Sequence, residues 1–261
     1  MIVPYFVVDA FASRAFSGNP AGVCLLNHWL ADDRLQDIAA ENNLSETAFL
    51  VPTAGPWELR WFTPCLEVDL CGHATLAAAH VLREQGEKKT VFEFETKSGC
   101  LAVRREGDLL VLDFPSRPPS PADPPAGLRA AVGGNPCGIL RARDHFLVYE
   151  TEEEIRRLQP DFDVLRGIQP WGTIVTAPGE ACDFVSRFFA PGAGIPEDPV
   201  TGSSHCTLIP YWARRLGKSA LRARQLSARG GELFCENAGE RVRIGGRART
   251  YLAGTIFLAN P

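Results

Sequence analysis

The chain has 261 residues, of which 45% are hydrophobic and 22% are charged, a mixture typical of globular proteins. This length allows one large domain or two small ones, and the net charge of −4 at pH 7 argues against nucleic-acid binding. The first residues, MIVPYFVVDAF, lack the basic and long apolar stretches of a signal peptide or a membrane span. We therefore expect a protein without a membrane partner.

The cysteine pattern indicates a reduced, cytoplasmic protein. The chain has 8 cysteines, none in a CxxC pair and most within apolar runs, where a free thiol behaves as a small hydrophobic side chain. No histidines and cysteines stand at metal-ligand spacing. The GAG at 192–194 is not part of a dinucleotide-binding fingerprint. The sequence thus predicts neither a metal nor a cofactor.

The first half of the chain alternates strand-like and helix-like segments. Aromatic and β-branched runs bounded by turn residues predict strands at IVPYFVVDAF, VCLL, TAFLVP and ELRWFTP. ADDRLQDIAAENN predicts a surface helix that buries Leu35, Ile38 and Ala39. ATLAAAHVLREQG predicts a second helix with Gly86 as its stop signal. VFEFETKSGCLAVRREGDLLVLDF then predicts three short strands.

A proline-rich segment separates the two halves. PSRPPSPADPPAG, residues 115–127, has almost no core-forming side chains. We interpret it as an interdomain linker, with a surface loop inside one domain as the alternative. The expected domains are therefore residues 1–114 and 115–249.

The second half repeats the order of the first. WFTP-CLEVDLCGH can be aligned with FFAP-GAGIPEDPVTGSS. In this alignment Glu67 stands five residues before Gly72, and Glu197 stands five residues before Gly202. Each glycine is expected to begin a helix, although Pro210 inside the second should kink or shorten it. Such self-similarity predicts two like domains, with a site that takes one helix start from each.

Two helix starts, Cys71-Gly72-His73 and Thr201-Gly202-Ser203, offer binding sites for an anion. Unpaired backbone N–H groups and a partial positive charge collect at a helix N-terminus, and glycine allows close approach to the backbone. The same field should keep Asp198 ionised. The alternative interpretation is that Asp198 or Thr201 only caps a helix.

Two titratable residues are candidates for proton transfer. Glu46 lies in NLSETAFL at the mouth of a strand, where an apolar pocket would raise its pKa toward the range of a general base. His73 can exchange a proton near neutral pH. Taken alone, each is more often an ordinary exposed or packed side chain.

Together, these motifs resemble the PhzF family, named for the isomerase of phenazine biosynthesis. The resemblance is carried by VDAFASRAFSGNPAGVCLL, NLSETAFL, RWFTPCLEVDLCGHATLAAAHVL and GIPEDPVTGSSHC. It implies an α/β (α+β) fold like that of diaminopimelate epimerase. Two pseudo-symmetric domains each wrap a curved, mostly antiparallel sheet around a central helix. The final strand, residues 250–261, returns to the first domain.

The resemblance also implies a chemistry without metal or organic cofactor. In the phenazine-pathway member, a proton moves within a cyclic dihydro-hydroxyanthranilate. Glu46 would be the catalytic acid/base, supported by His73 and Asp198. The substrate, a small carboxylate, would be bound by Ser45, Gly72, Gly202 and Ser203. The family commonly forms homodimers, so we expect one here.

Two other functions stay open from the sequence. Diaminopimelate epimerases use two cysteines, one at each central helix; here Cys71 stands at the first place but Thr201 at the second. A threonine hydroxyl is too weak an acid to replace a thiol, yet a one-cysteine epimerase or racemase built on Cys71 is a possible variant. A non-catalytic metabolite-binding protein on the same scaffold is the other.

Overall fold

The computed structural model describes residues 1–170 and 172–258. By its internal contacts the chain divides into two compact units. One unit is Met1–Asp113 with the chain from Gly245 onward, and the other is Phe114–Ile244. The domain boundaries expected from the sequence stay predictions, and residues 259–261 of the expected final strand lie outside the described part.

Strands dominate both units. In chain order the strands are β1 (Ile2–Ala10), β2 (Asn19–Leu25), β3 (Glu46–Val51), β4 (Trp57–Phe62), β5 (Glu67–Val68), β6 (Val91–Thr96), β7 (Gly99–Glu106), β8 (Leu109–Pro115), β9 (Ser120–Pro121), β10 (Gly138–Arg141), β11 (His145–Val148), β12 (Thr173–Pro178), β13 (Phe184–Ala190), β14 (Ile195–Glu197), β15 (Ala220–Gln225), β16 (Gly231–Ala238), β17 (Arg241–Gly246) and β18 (Ala248–Phe257). The helices are α1 (Asp32–Asn42), α2 (Gly72–Glu84), α3 (Leu128–Val132), α4 (Glu152–Arg157), α5 (Phe162–Arg166) and α6 (His205–Leu216), with a 3₁₀ turn at Pro191–Ala193. The predicted α/β fold with mostly antiparallel strands is confirmed.

In the first unit, β1 lies between β18 and β2 and is antiparallel to both. The sheet continues through β3, parallel to β2, and β4, antiparallel to β3. β4 in turn pairs with β5 antiparallel and with β6 parallel. Helix α1 covers this sheet with Leu35, Ile38 and Ala39, the apolar face that the sequence predicts.

Helix α2 is the central element of the first unit. Every residue from His73 to Leu82 is buried, and the helix packs against β1, β2 and β3. A helix that is buried on all sides is surrounded by the core, which explains its run of alanine and leucine. Its N-terminus therefore holds the side chains of its first turn in a protected environment.

The second unit repeats the pairing order of the first. β11 is parallel to β12, and β12 is antiparallel to β13. β13 then pairs with β14 antiparallel and with β15 parallel. These are the relations of β2, β3, β4, β5 and β6, with α6 in the place of α2. The duplication seen in the sequence is thus also a duplication of topology.

Pro210 does not shorten helix α6, contrary to the expectation from the sequence. The proline has no N–H for the Cys206 carbonyl four residues earlier, but the Arg117 N–H donates to that carbonyl at 2.8 Å. Trp212 anchors the same helix: its ring stacks on Phe184 and its Nε1 donates to Thr176 Oγ1 at 2.9 Å. The helix runs on to Leu216.

The proline-rich segment, residues 115–127, directly follows the boundary between the two units and is hydrogen-bonded to the second. Its interpretation as an interdomain linker stays a prediction. Besides the Arg117 bond, the Ser116 N–H donates to the Glu240 carbonyl at 2.8 Å. Strand β9 within the segment pairs antiparallel with β10. Proline content alone hid these bonds, because the few non-proline residues supply the backbone donors that fix the segment.

Among the described residues, no helix has both the length and the apolar character needed to cross a membrane. No disulfide bond joins any of the 8 cysteines in the described part of the chain.

Candidate active site

Glu46 is the first residue of β3, where the chain enters the sheet after α1. The turn between them is set by Asn43, which ends α1 in the left-handed conformation at φ 49°. Because β3 is parallel to β2, Glu46 lies opposite Ala21 in the register. Its side chain is only 14% exposed. The structure thus places the predicted base in a largely desolvated position.

His73 lies between Glu46 and Cys71, with one ring nitrogen toward each. Its Nε2 is 3.2 Å from Glu46 Oε2, although the angles fall outside those of a hydrogen bond. Its Nδ1 is 3.5 Å from the Cys71 thiol and 3.4 Å from the Asn19 amide nitrogen. The first unit therefore assembles Asn19, Glu46, Cys71 and His73 at the start of α2.

The neighbours of His73 indicate which ring nitrogen carries the proton. Burial lowers its pKa to about 4, so the ring is neutral near pH 7. Cys71 and Asn19 both present donors to Nδ1. Nδ1 is thus assigned as the acceptor and Nε2 as the N–H that faces Glu46.

A tight backbone turn directly before β2 holds Asn19 in place. Gly18, at φ +71°, precedes it, and a Cβ there would lie 2.1 Å from the Ala10 carbonyl oxygen. Only glycine fits this position. Asn19 itself is fully buried. The SGNP sequence therefore serves to set the amide against the His73 ring.

The N-terminus of α2 adds hydrogen-bond donors to this cluster. Cys71 is the N-cap but makes no side-chain cap bond, and the first intrahelical bond to its carbonyl comes from the Thr75 N–H at 3.1 Å. The N–H groups of the residues before Thr75 lack acceptors within the helix. Gly72 is half-buried and has no side chain that would keep an anion away from these N–H groups. Ser45, also half-buried, directly precedes Glu46.

In the second unit, Asp198 caps a tight loop ahead of α6. Its Oδ2 accepts from Thr201 Oγ1 at 2.5 Å, and its N–H donates to the Phe188 carbonyl at 3.0 Å. The helix begins at His205 rather than at Gly202, which corrects the expected start. Gly202 and Ser203 instead form a turn whose carbonyls accept from His205 and Cys206.

Gln225, a residue that the sequence analysis missed, fixes this loop. It is 1% exposed. Its Oε1 accepts from the Thr201 N–H at 2.9 Å, and its Nε2 donates to the Asp198 carbonyl at 2.8 Å. No motif flags Gln225, because it lies at the end of β15, 24 residues from Thr201. Asn19 was missed for a related reason: it lies within a recognisable motif but 54 residues from His73.

The comparisons with known proteins cover almost the whole chain. The profile of the phenazine biosynthesis-like protein family matches residues 8–254. An uncharacterized isomerase of Pseudomonas aeruginosa is 52% identical over 259 residues, which span 99% of this chain and all of the relative. A human phenazine biosynthesis-like domain-containing protein is 41% identical over 290 residues, 98% of this chain and 99% of its own.

Solved structures agree with these relatives. A PhzF-family protein of Enterococcus faecalis has a TM-score of 0.97 at 46% identity, and the match covers 99% of this chain and all of the other. A hydroxyproline epimerase from Agrobacterium vitis has a TM-score of 0.62 at 12% identity, covering 100% and 94% of the two chains, and so shares the fold. The predicted epimerase-like fold is confirmed, and the chain belongs to the phenazine biosynthesis-like, or PhzF, family.

Proposed function

We propose that this protein is an isomerase that moves a proton within a small carboxylated metabolite, with Glu46 as the general acid/base. The observation that carries the proposal is the placement of His73 Nε2 at 3.2 Å from the largely buried Glu46 carboxylate. Relatives that are named isomerases and match along their full length support the same reaction class.

The proposed reaction needs one base and one anion site. Glu46 takes a proton from a carbon next to an electron-withdrawing group and returns it to another carbon on the same face. The neutral His73 ring, with its N–H toward Glu46, stabilises the Glu46 carboxylate while it is ionised. Negative charge that develops on the substrate is stabilised by the N–H groups at the start of α2.

The remaining predicted residues are assigned to substrate binding. In the first unit these are Ser45 and Gly72, which lie beside the base and at the helix start. In the second unit, Asp198 is proposed to support proton transfer, and Gly202 and Ser203 to bind the substrate through the turn before α6. We further propose that the reaction needs no cofactor and that the active form is a cytoplasmic homodimer, which analytical ultracentrifugation can test.

Deuterium exchange tests the proposal directly. The full chain is screened by thermal shift against cyclic and aliphatic carboxylic acids, and each ligand found is incubated with enzyme in D₂O. We expect deuterium to enter the ligand and Glu46→Gln to slow that exchange by about 10²–10⁴-fold. Glu41→Gln, at an exposed position of α1, is the matched control. Unchanged exchange in Glu46→Gln would contradict the assignment of the base.

A second candidate, an epimerase or racemase built on Cys71, is favoured by one contact. The thiol lies 3.5 Å from His73 Nδ1, so the imidazole can accept its proton. Cys71→Ser separates the two mechanisms: exchange should persist if Glu46 is the base and collapse if the thiol is. Tight ligand binding without any exchange would instead support the non-catalytic binding protein.

A further inference from the structure

Glu46, Cys71 and His73 form a donor set that the reaction above does not fully use. One ligand atom from each residue, a carboxylate oxygen, a thiol sulfur and an imidazole nitrogen, lies within 4.8 Å of those of the other two. The three residues come from two elements, β3 and the start of α2. Their spacing in the sequence matches no metal motif, so only the fold brings them together.

The distance between Cys71 and His73 is close to that between two ligands of a tetrahedral metal site. Zn²⁺ binds sulfur at about 2.3 Å and imidazole nitrogen at about 2.0–2.1 Å, which places the two ligand atoms roughly 3.6 Å apart at a tetrahedral angle. The Cys71 Sγ to His73 Nδ1 distance is 3.5 Å. Glu46 Oε2 now faces the other ring nitrogen at 3.2 Å. A turn of the His73 ring would present one nitrogen to a metal shared by all three residues.

Burial strengthens this interpretation. The side chains of His73 and Glu46 are 7% and 14% exposed, and Cys71 is also buried. His73 Nε2 is a buried polar atom without a hydrogen-bond partner in the described part of the chain. Buried polar atoms usually have a partner. When the ring proton moves from Nε2 to Nδ1, Nε2 offers a lone pair that a metal ion can occupy.

The charges favour a divalent, soft cation. Once the thiol has released its proton to solvent, Cys71 and Glu46 together carry two negative charges. Thiolate and imidazole ligands select Zn²⁺ or Co²⁺ over Mg²⁺ or Ca²⁺, which prefer oxygen. The positive end of α2 opposes a bound cation, so we expect a weaker site than a structural zinc site with four protein ligands.

We propose that Glu46, Cys71 and His73 bind Zn²⁺ as a three-ligand site, and that the bound metal inhibits the enzyme. The ion is an inhibitor and not a cofactor, because it occupies the carboxylate that must be free to accept a proton. The metal site stands on geometry alone, whereas the inhibition rests on the proposed function. A fourth coordination position stays open for water or a substrate carboxylate.

Cobalt spectroscopy tests binding without any turnover. The full-length protein is freed of metal and titrated with Co²⁺. We expect one equivalent to produce a thiolate-to-cobalt charge-transfer band that Zn²⁺ removes by displacement. Cys71→Ser should abolish the band, and Glu46→Gln should weaken Co²⁺ binding by about tenfold or more. Cys65→Ser, at an exposed position, is the matched control and should keep the band.

Thiol labelling of the wild-type protein tests the metal site even if Cys71→Ser does not fold. Zn²⁺ should slow alkylation of Cys71 and leave that of Cys65 unchanged, as read by mass spectrometry. Absence of the charge-transfer band, or its persistence in folded Cys71→Ser, would overturn the metal site. Zinc binding without loss of deuterium exchange would overturn the inhibition alone. Failure of exchange in metal-free protein would count against the proposed function and leave the site standing.

Discussion

Arg187 and Glu197 are joined by a two-point ion pair between β13 and β14. Arg187 Nε donates to Glu197 Oε1 at 2.7 Å, and its Nη2 donates to Oε2 at 2.9 Å. Nη1 of the same guanidinium donates to the carbonyls of Ile155 and Leu158 at 3.1 and 2.9 Å. One side chain therefore fastens the strand before the Asp198 loop to the segment around α4.

The first unit contains the same pair in the same place. Arg60 of β4 donates to both oxygens of Glu67 in β5, at 2.7 and 2.8 Å. These hydrogen bonds lower the pKa of Glu67 to about 2. The duplication thus preserves a structural ion pair, and each pair fixes the segment that leads into a central helix. Glu67 and Glu197, which stand five residues before Gly72 and Gly202, are therefore structural residues.

We expect Arg187→Met to destabilise the protein by about 3 kcal/mol, since it leaves a partly buried carboxylate unpaired. It also removes the donor to two carbonyls. The double variant Arg187→Met/Glu197→Leu should recover part of that loss, because the unpaired charge is gone. Arg166→Met, which breaks an exposed pair with Asp163, is the control and should change the urea midpoint little. Equal midpoints for Arg187→Met and Arg166→Met would contradict the role of the pair.

Much of the fold could be predicted from local patterns. Strands β1, β3 and β4 and helices α1 and α2 have strong hydrophobic periodicity. Their local propensity and their burial therefore favour the same secondary structure. The proline-rich segment and the start of α6 could not be predicted. The proline-rich segment depends on backbone bonds to distant residues, such as Arg117 to Cys206. The loop before α6 depends on the side chain of Gln225, 24 residues from Thr201. No local pattern contains either contact.

The site was partly predictable for the same reason. Glu46, Cys71 and His73 stand in recognisable motifs, and the fold brings them together. Asn19 and Gln225 act through side-chain amides whose partners are far away in the sequence. An amide side chain carries no charge, and its partner stands at no fixed distance along the sequence. Its role is therefore visible only once the strands are assembled.

We expect Asn19→Asp to change the tautomer of His73. The amide now presents a donor to Nδ1 at 3.4 Å, whereas a carboxylate presents only acceptors and favours a proton on that nitrogen. NMR of ¹⁵N-labelled histidine should show the Nε2–H form in the wild type and Nδ1–H, or the doubly protonated ring, in the variant. Asn27→Asp, at an exposed position, is the control. An unchanged ring spectrum in Asn19→Asp would refute the assigned tautomer.

Gly18→Ala should be far more disruptive than Gly86→Ala. Both glycines have positive φ, +71° and +102°, so backbone strain destabilises each variant by about 1–2 kcal/mol. Only at Gly18 does the new Cβ collide with backbone, 2.1 Å from the Ala10 carbonyl oxygen, while Gly86 has nothing within 4 Å. We expect Gly18→Ala to lower the thermal midpoint by several times the shift of Gly86→Ala. Similar shifts would mean that the close packing of Gly18 against Ala10 does not constrain the backbone before Asn19.

Acid should destabilise the second unit through His205. The ring is fully buried, its Nδ1 lies 2.8 Å from the Thr201 carbonyl, and burial lowers its pKa to about 4. Above the unfolded pKa of about 6.5, both states are neutral; below it, only the unfolded state takes up the proton, so stability falls as pH drops toward 4. His205 alone should contribute about 2 kcal/mol of this loss between pH 7 and pH 5. His205→Gln cannot take up a proton and should be less stable at pH 7, but it should lose less stability between these pH values. Exposed His28→Gln should follow the wild type. Parallel urea-midpoint curves for wild type and His205→Gln would show that His205 does not cause the acid sensitivity.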